Sequence, residues 1–296
     1  MRPLFSMDAM AKKPAKSTAK PAKKPAPKLD PKTIAPLSHA RGANAAQMAA
    51  ASYRLAALDQ EWLLGDSNRG VRFMLEYNKA EEALDRWGVR STVVVFGSAR
   101  FSPTGLPDHR RWYNDARTFS RIASERGGAL LHDHKPRNNV IATGGGPGIM
   151  EAANRGAHDA GAPSIGYNIT LPMEQEPNAY STPDLTFRFH YFAMRKMHFA
   201  MRANALVVFP GGMGTLDELF ELLALRQTDK APPIPIVLYD RKFWNEVINF
   251  DAMVKHGVIS EPDESLFTYA ETPEQAWQQC VEGGVLTRWL QEQHTT

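Results

Sequence analysis

The chain has 296 residues, 43% of them hydrophobic, which is enough for the core of one large domain or two small ones. No apolar run approaches the roughly 20 residues needed to cross a bilayer, and the N-terminus lacks the apolar centre of a secretory signal, so a cytoplasmic protein is expected. The net charge of +3 divides unevenly: the first 45 residues carry ten Lys and Arg against Asp8 and Asp30, leaving an acidic body that argues against a nucleic-acid-binding domain.

The chain opens with AKKPAKSTAKPAKKPAPKLDPK, a Lys/Ala/Pro stretch that cannot bury enough apolar surface to offset its chain entropy. Residues 1–42 are expected to form a disordered tail, either a plain solvated segment or a weak polyanion-binding arm whose contact would fade with salt. Residues 43–88 (ANAAQMAAASYRLAAL, then VRFMLEYNKAEEALDRWG) space apolar residues three and four apart, which predicts two or more helices beside the main fold.

From Ser91 the pattern changes. Strands are expected in TVVVFGS, NVIATGG, SIGYNI, LTFRFHY, ALVVFPGG and IPIVLYD, with helices near 108–126, 148–160, 192–204, 215–228 and 243–256. Near-continuous Val/Ile runs alternating with helices predict an α/β fold: a Rossmann-like, doubly wound parallel sheet with helices on both faces. The expected organisation is one nucleotide-binding domain over 43–296, with a helical extension (43–88), a core (90–256) and a C-terminal helical segment (257–296). The one cysteine, Cys280, has no neighbours at metal spacing and reads as an ordinary thiol.

Ligands of such sheets bind beyond the carboxyl ends of the strands. Three small-residue runs fall there: Gly97–Arg100 (GSAR), Gly144–Ala157 (GGGPGIMEAANRGA) and Pro210–Glu221 (PGGMGTLDELFE). Glycine lets backbone N–H groups approach a ligand, and a helix start adds unpaired donors and a positive dipole end, so the loops suit an anion. Thr215 is placed to cap its helix or bond a phosphate oxygen. Neither loop has the dinucleotide or P-loop spacing. With a helix start near Gly214, Asp217 and Glu218 would lie in the first turn, where macrodipole compensation alone would account for acids. In FHYFAMRKMHF, Arg195 and Lys196 are open to two readings, a snorkelling basic pair or a planar fork for phosphate or carboxylate.

PGGMGTLDE fits the pattern P-G-G-x-G-T-x-x-E. With GGGPGIMEAANRGA and MRK it closely resembles the Lonely guy cytokinin riboside 5′-monophosphate phosphoribohydrolases, long misnamed lysine decarboxylases. FGSAR, LPMEQEPN and LRQTDK resemble the longer bacterial branch, and the similarity covers roughly residues 90–250. The resemblance implies hydrolysis of the N-glycosidic bond of a nucleoside 5′-monophosphate, AMP or a cytokinin riboside 5′-monophosphate, to free base and ribose 5-phosphate. It implies no metal or organic cofactor and a homodimer or higher homo-oligomer; with no apolar run long enough to span a bilayer, no membrane association is expected. By motif, Arg195 and Glu218 match the catalytic pair. Gly144, Gly145, Gly146, Gly148, Gly211, Gly212, Gly214 and Thr215 match the loops holding phosphate and ribose, and Gly97, Ser98, Arg100, Met150, Glu151 and Lys196 are further lining residues.

The chain departs from the compact pattern at HDHKPRNN (His132–Asn139), expected as a surface loop, and in its N-terminal additions. His132 and His134 lack a third metal ligand. A pyridoxal-dependent decarboxylase would need a Schiff-base lysine paired with an acid for the ring nitrogen, and no motif supplies both. The alternative kept is a non-catalytic carrier of a phosphorylated ligand such as molybdenum cofactor, whose carriers the PGGxGT loop also resembles.

Overall fold

Strands rich in Val and Ile on both faces need cover on both faces, and the computed structural model has that arrangement. It describes residues 42–130, 136–172 and 176–287. The expected tail arm (residues before 42), His132 and His134, the middle of LPMEQEPN and the last nine residues of the C-terminal segment lie outside the described residues.

The chain divides into a unit of residues 1–63 and a unit of residues 64–296. In the first unit, α1 (Ala45–Ala49) is followed by single 3-10 turns at Ala51–Tyr53 and Ala56–Leu58. Extended backbone at Ala50 and Arg54 separates these short elements. Helix α2 follows at Gln60–Leu64.

The second unit holds α3 (Arg69–Arg86), then β1 (Thr92–Phe96), α4 (Pro107–Arg126), β2 (Val140–Thr143), α5 (Ile149–Asp159), β3 (Ser164–Ile169) and β4 (Thr186–Phe189). It continues with α6 (Phe192–Met201), β5 (Ala203–Val208), α7 (Met213–Gln227), β6 (Ile236–Tyr239), α8 (Arg241–Val247), α9 (Phe250–Lys255), β7 (Thr268–Ala270) and α10 (Pro273–Glu282). The strands form one sheet in the order β4-β3-β2-β1-β5-β6-β7, and every pairing is parallel. This is a Rossmann-like α/β fold.

Period-two alternation sorts the strand side chains between two cores. Val94 and Phe96 face one, shared with α3, α6 and α7 through Leu84, Phe199 and Leu219. Val93 and Val95 face the other, shared with α4, α5 and α10 through Phe119, Ala153 and Trp277. Cys280 lies in this second core, where burial pushes its thiol up to about 12.

Three features differ from expectation. The helix expected over 243–256 is two helices, because Asp240 caps one by accepting from Phe243 N at 3.0 Å and Asn249 caps the next by accepting from Ala252 N at 2.8 Å. The C-terminal segment contains a strand, β7, whose three residues are too few to show a period. The end of HDHKPRNN is buried rather than a surface loop: Asn139 is fully enclosed and donates through Nδ2 to Gly127 O and Val285 O at 2.8 and 3.2 Å.

Candidate active site

The order of the strands fixes where a ligand site can form. From β1 the chain proceeds to one side through β2, β3 and β4, then crosses to the other side of β1 with β5. The carboxyl ends of β1 and β5 are therefore the switch point of the sheet, where α/β folds open a crevice. The loops leaving these strands are laced together: Phe209 N donates to Phe96 O at 2.9 Å and Ser98 N to Pro210 O at 3.0 Å. The loop after β2 joins them through Ile149 N, which donates to Ser98 O at 3.0 Å.

A cleft of about 690 Å³ opens at this switch point. Ten of the predicted residues line it: Gly97, Ser98, Arg100, Met150, Arg195, Gly211, Gly212, Gly214, Thr215 and Glu218. Phe96, Phe101, Phe192, Met213 and Phe243, together with Met150, give it an apolar wall. The first intrahelical bond of α7 runs from Leu216 N to Gly212 O at 3.0 Å, so the N–H groups of Met213, Gly214 and Thr215 are left for a ligand or solvent. The Arg100 guanidinium is exposed at the rim and has no side-chain partner among the described residues.

Arg195 and Glu218 meet in the cleft wall. Arg195 Nη1 donates to Glu218 Oε1 at 3.1 Å, and Nε donates to Tyr167 O at 2.7 Å, which fixes the guanidinium plane. Its ring-facing side lies 5.1 Å from the Phe199 centroid. Both side chains are largely withdrawn from water, at 12% and 7% exposure. Burial pushes the Glu218 carboxyl up to about 7, against the opposing charges of Arg195 and Lys196. Burial also lowers the Arg195 pKa, opposed by Glu218 and Asp217. A carboxylate that holds its proton near neutrality beside a fixed cation is equipped to exchange protons with a reacting group.

The GGGPG loop contributes differently from expectation. Gly144, Gly145, Gly146 and Gly148 are buried behind the cleft rather than on its wall. A Cβ on Gly144 would stand 2.5 Å from Arg195 Nη2 and 2.7 Å from Met150 Sδ, so the missing side chain is what makes room for the guanidinium. Gly148 has φ +73° and a Cβ there would meet Ser98 O at 2.3 Å. Asn178 ties the loop down: Asn178 N donates to Gly145 O at 2.8 Å and Nδ2 to Gly146 O at 3.0 Å.

Glu151 and Lys196 also stand off the wall. Glu151 Oε1 accepts from Tyr113 OH at 2.6 Å. Lys196 Nζ lies 2.8 Å from Asp217 Oδ1 and 3.2 Å from Glu221 Oε2; burial lowers its pKa but these acids more than offset it, for a net rise. Helix α7 starts at Met213, so Asp217 and Glu218 sit in its second turn, not the first. Macrodipole compensation fades within the first turn, so it does not account for a buried Glu218. Thr215 does not cap the helix, which has Gly212 as N-cap; it is buried against Gly211, where a Cβ would come within 2.2 Å of its Oγ1. Of the wall residues missed by sequence, Phe192 lies within the basic aromatic cluster already singled out, whereas Phe243 carries no local signal.

Among the described residues, no group of three or more His, Cys, Asp or Glu is arranged to hold a metal ion. No described helix is long and apolar enough to cross a membrane.

The family whose sequence model is described as possible lysine decarboxylase matches residues 150–280. A probable cytokinin riboside 5′-monophosphate phosphoribohydrolase of Oryza sativa subsp. japonica is 27% identical over 201 residues, covering 66% of this chain and 79% of that protein. A cytokinin riboside 5′-monophosphate phosphoribohydrolase of Arabidopsis thaliana is 29% identical over 143 residues, 46% of this chain and 64% of that protein. Among solved structures, a structural-genomics target aligns at 21% identity and TM-score 0.46 over 65% of this chain and 99% of its own. A molybdenum cofactor binding protein of the phototrophic bacterium Rippkaea orientalis aligns at 18% identity and TM-score 0.45 over 65% of this chain and 96% of its own. In its family match and its curated relatives, this chain is similar to the cytokinin riboside 5′-monophosphate phosphoribohydrolases, the Lonely guy family.

Proposed function

We propose that the protein hydrolyses the N-glycosidic bond of a nucleoside 5′-monophosphate, AMP or a cytokinin riboside 5′-monophosphate, releasing the free base and ribose 5-phosphate. The observation that carries this reading is the buried Arg195–Glu218 pair in the wall of a cleft that also contains a free helix N-terminus. The names of the curated relatives support it.

The 5′-phosphate sits at the N–H groups of Met213, Gly214 and Thr215, where the α7 dipole is positive, with Arg100 at the rim. Five residues of helix rise, about 7.5 Å, separate Met213 from Glu218, a span suited to a ribose whose 5′-phosphate is held at one end and C1′ offered at the other. As the C1′–N bond breaks, its electron pair leaves with the base and the ribose takes on oxocarbenium-like positive charge. Ionised Glu218 stabilises that charge and accepts a proton from the attacking water, whose oxygen bonds to C1′. The proton then passes to the departing base nitrogen. Arg195 holds the carboxylate in place, and its Nη2, without a partner among the described residues, is available to the base or the ribose. The phosphate anchor supplies remote binding energy that fixes C1′ against the acid. The protein is further proposed to act as a homo-oligomer.

Incubation with AMP and with isopentenyladenosine 5′-monophosphate, followed by chromatography for free base, tests the reading. Base release that disappears in Glu218→Gln is expected. Tight binding of a phosphorylated ligand with no base release from any nucleoside monophosphate would favour a carrier instead.

A further inference from the structure

Helix α6 presents Arg195, yet does little to secure its own ends. Its N-cap, Tyr191, makes no side-chain capping bond, and its first turn has no acidic residue. The missing support comes from α3. Glu76 Oε1 accepts from His190 N at 2.8 Å and its Oε2 accepts from Tyr191 N at 3.3 Å, so a carboxylate from another helix caps α6. Arg72, one turn earlier, donates through Nε to Tyr191 OH at 2.7 Å, and Phe73 packs edge-on against the Tyr191 ring at 4.5 Å.

The far end of α6 is held by the same helix. Arg202, the C-cap of α6, pairs with Glu81 and, at 3.0 Å, with Asp85. Between the two grips, His198 Nδ1 lies 3.3 Å from Glu81 Oε1 inside the core. From Glu76 to Asp85 the rise along α3 is about 13.5 Å, close to the length of about 15 Å for the ten residues of α6. This stretch of α3 therefore matches α6 in length.

The upstream grip leads directly to the guanidinium. Tyr191, whose N–H is held by Glu76, gives its carbonyl to Arg195 N at 3.2 Å, the first bond of the helix. We propose that α3 is a brace for the active site, and that Glu76, assisted by Arg72, is a positioning residue that sets the start of α6 and so the place of Arg195 over Glu218. The inference rests on the hydrolase reading for its kinetic consequence, but the posture of α6 is measurable without turnover.

The test compares Glu76→Ala, Glu76→Gln and Arg72→Ala with the wild type by base release from AMP and by amide hydrogen exchange over residues 190–202. Glu76→Ala is expected to lower kcat about tenfold with KM moving less than threefold, the size of loss that a small misplacement of a reacting group produces. Glu76→Gln, whose single carbonyl oxygen can replace one of the two accepted bonds, is expected to recover part of the loss, and it covers the case in which the alanine variant folds poorly. Exchange should quicken at 190–195 while the rest of the sheet stays protected. In an Arg195→Ala background, Glu76→Ala should cost little more, because the two act through one group. Wild-type kcat in Glu76→Ala, or an undiminished loss in the Arg195→Ala background, would overturn the proposal. If the wild type releases no base from any nucleoside monophosphate, the hydrolase reading fails, and unchanged exchange at 190–195 would then overturn the brace by itself.

Discussion

Lowering the pH from 8 to 6 should switch the active site off through one group. Burial pushes Glu218 up from 4.5 to about 7, with Arg195 and Lys196 opposing the shift. A carboxylate that must accept a proton from water works only when ionised, and its ionised fraction is about nine-tenths at pH 8, half at pH 7 and one-tenth at pH 6. The rate of adenine release from AMP at saturation should therefore fall roughly tenfold over this range, with a midpoint near pH 7. Initial rates at constant ionic strength measure this. Saturating substrate matters, since a nucleotide phosphate has its own ionisation near pH 6 and would steepen kcat/KM there. A rate that is flat from pH 8 to 6, or a midpoint back in the ordinary carboxylate range, would refute the assignment of Glu218 as base. The same shift has a consequence for stability. Between 4.5 and about 7 the folded chain holds a proton on Glu218 that the unfolded chain has lost, so stability is highest below this window and declines as pH rises through it. The shift of roughly 2.5 units corresponds to about 3 kcal/mol, without discount for solvent because Glu218 is only 6% exposed. Glu218→Gln should flatten that part of the pH dependence of Tm.

Other perturbations separate the parts of the site. Lys196→Ala removes a charge that lowers the Glu218 pKa, so the acid limb of the rate profile should move to higher pH, while turnover at pH 8.5 stays within about threefold. Arg100→Ala should raise KM for AMP and weaken its salt dependence, with kcat changed far less, if the exposed guanidinium has the proposed role in phosphate binding. Gly148→Ala forces a side chain into a left-handed position and within 2.3 Å of Ser98 O, and should destabilise by about 2 kcal/mol or more, seen as a Tm drop of several degrees.

The parallel sheet was legible because its strands are near-continuous Val/Ile runs, TVVVF and ALVVF above all, and because three of them, TVVVF, NVIAT and ALVVF, lead into glycine-rich loops. Those junctions located the cleft, since a doubly wound sheet has only one switch point at which two such loops can meet. The division of labour among the glycines was not legible. Gly211, Gly212 and Gly214 border the cleft, whereas Gly144 makes space for Arg195 and Gly148 passes under Ser98, and both kinds read alike as glycine after a strand. The split of α8 from α9 was visible in hindsight in two capping residues, Asp240 and Asn249. Strand β7 was not, for its pairing with β6 depends on distant contacts rather than on any local period. The role of Glu76 in capping α6 also lay beyond local reading, since 114 residues separate it from His190.

The most direct measurement is a product balance: AMP incubated with the purified protein and with Glu218→Gln, scoring adenine and ribose 5-phosphate together. The account predicts the two products in equal amounts from the wild type, and a rate at least a hundredfold lower from the variant with AMP still bound. Wild-type protein that binds AMP and leaves it intact, or a variant that hydrolyses it at the wild-type rate, would contradict it.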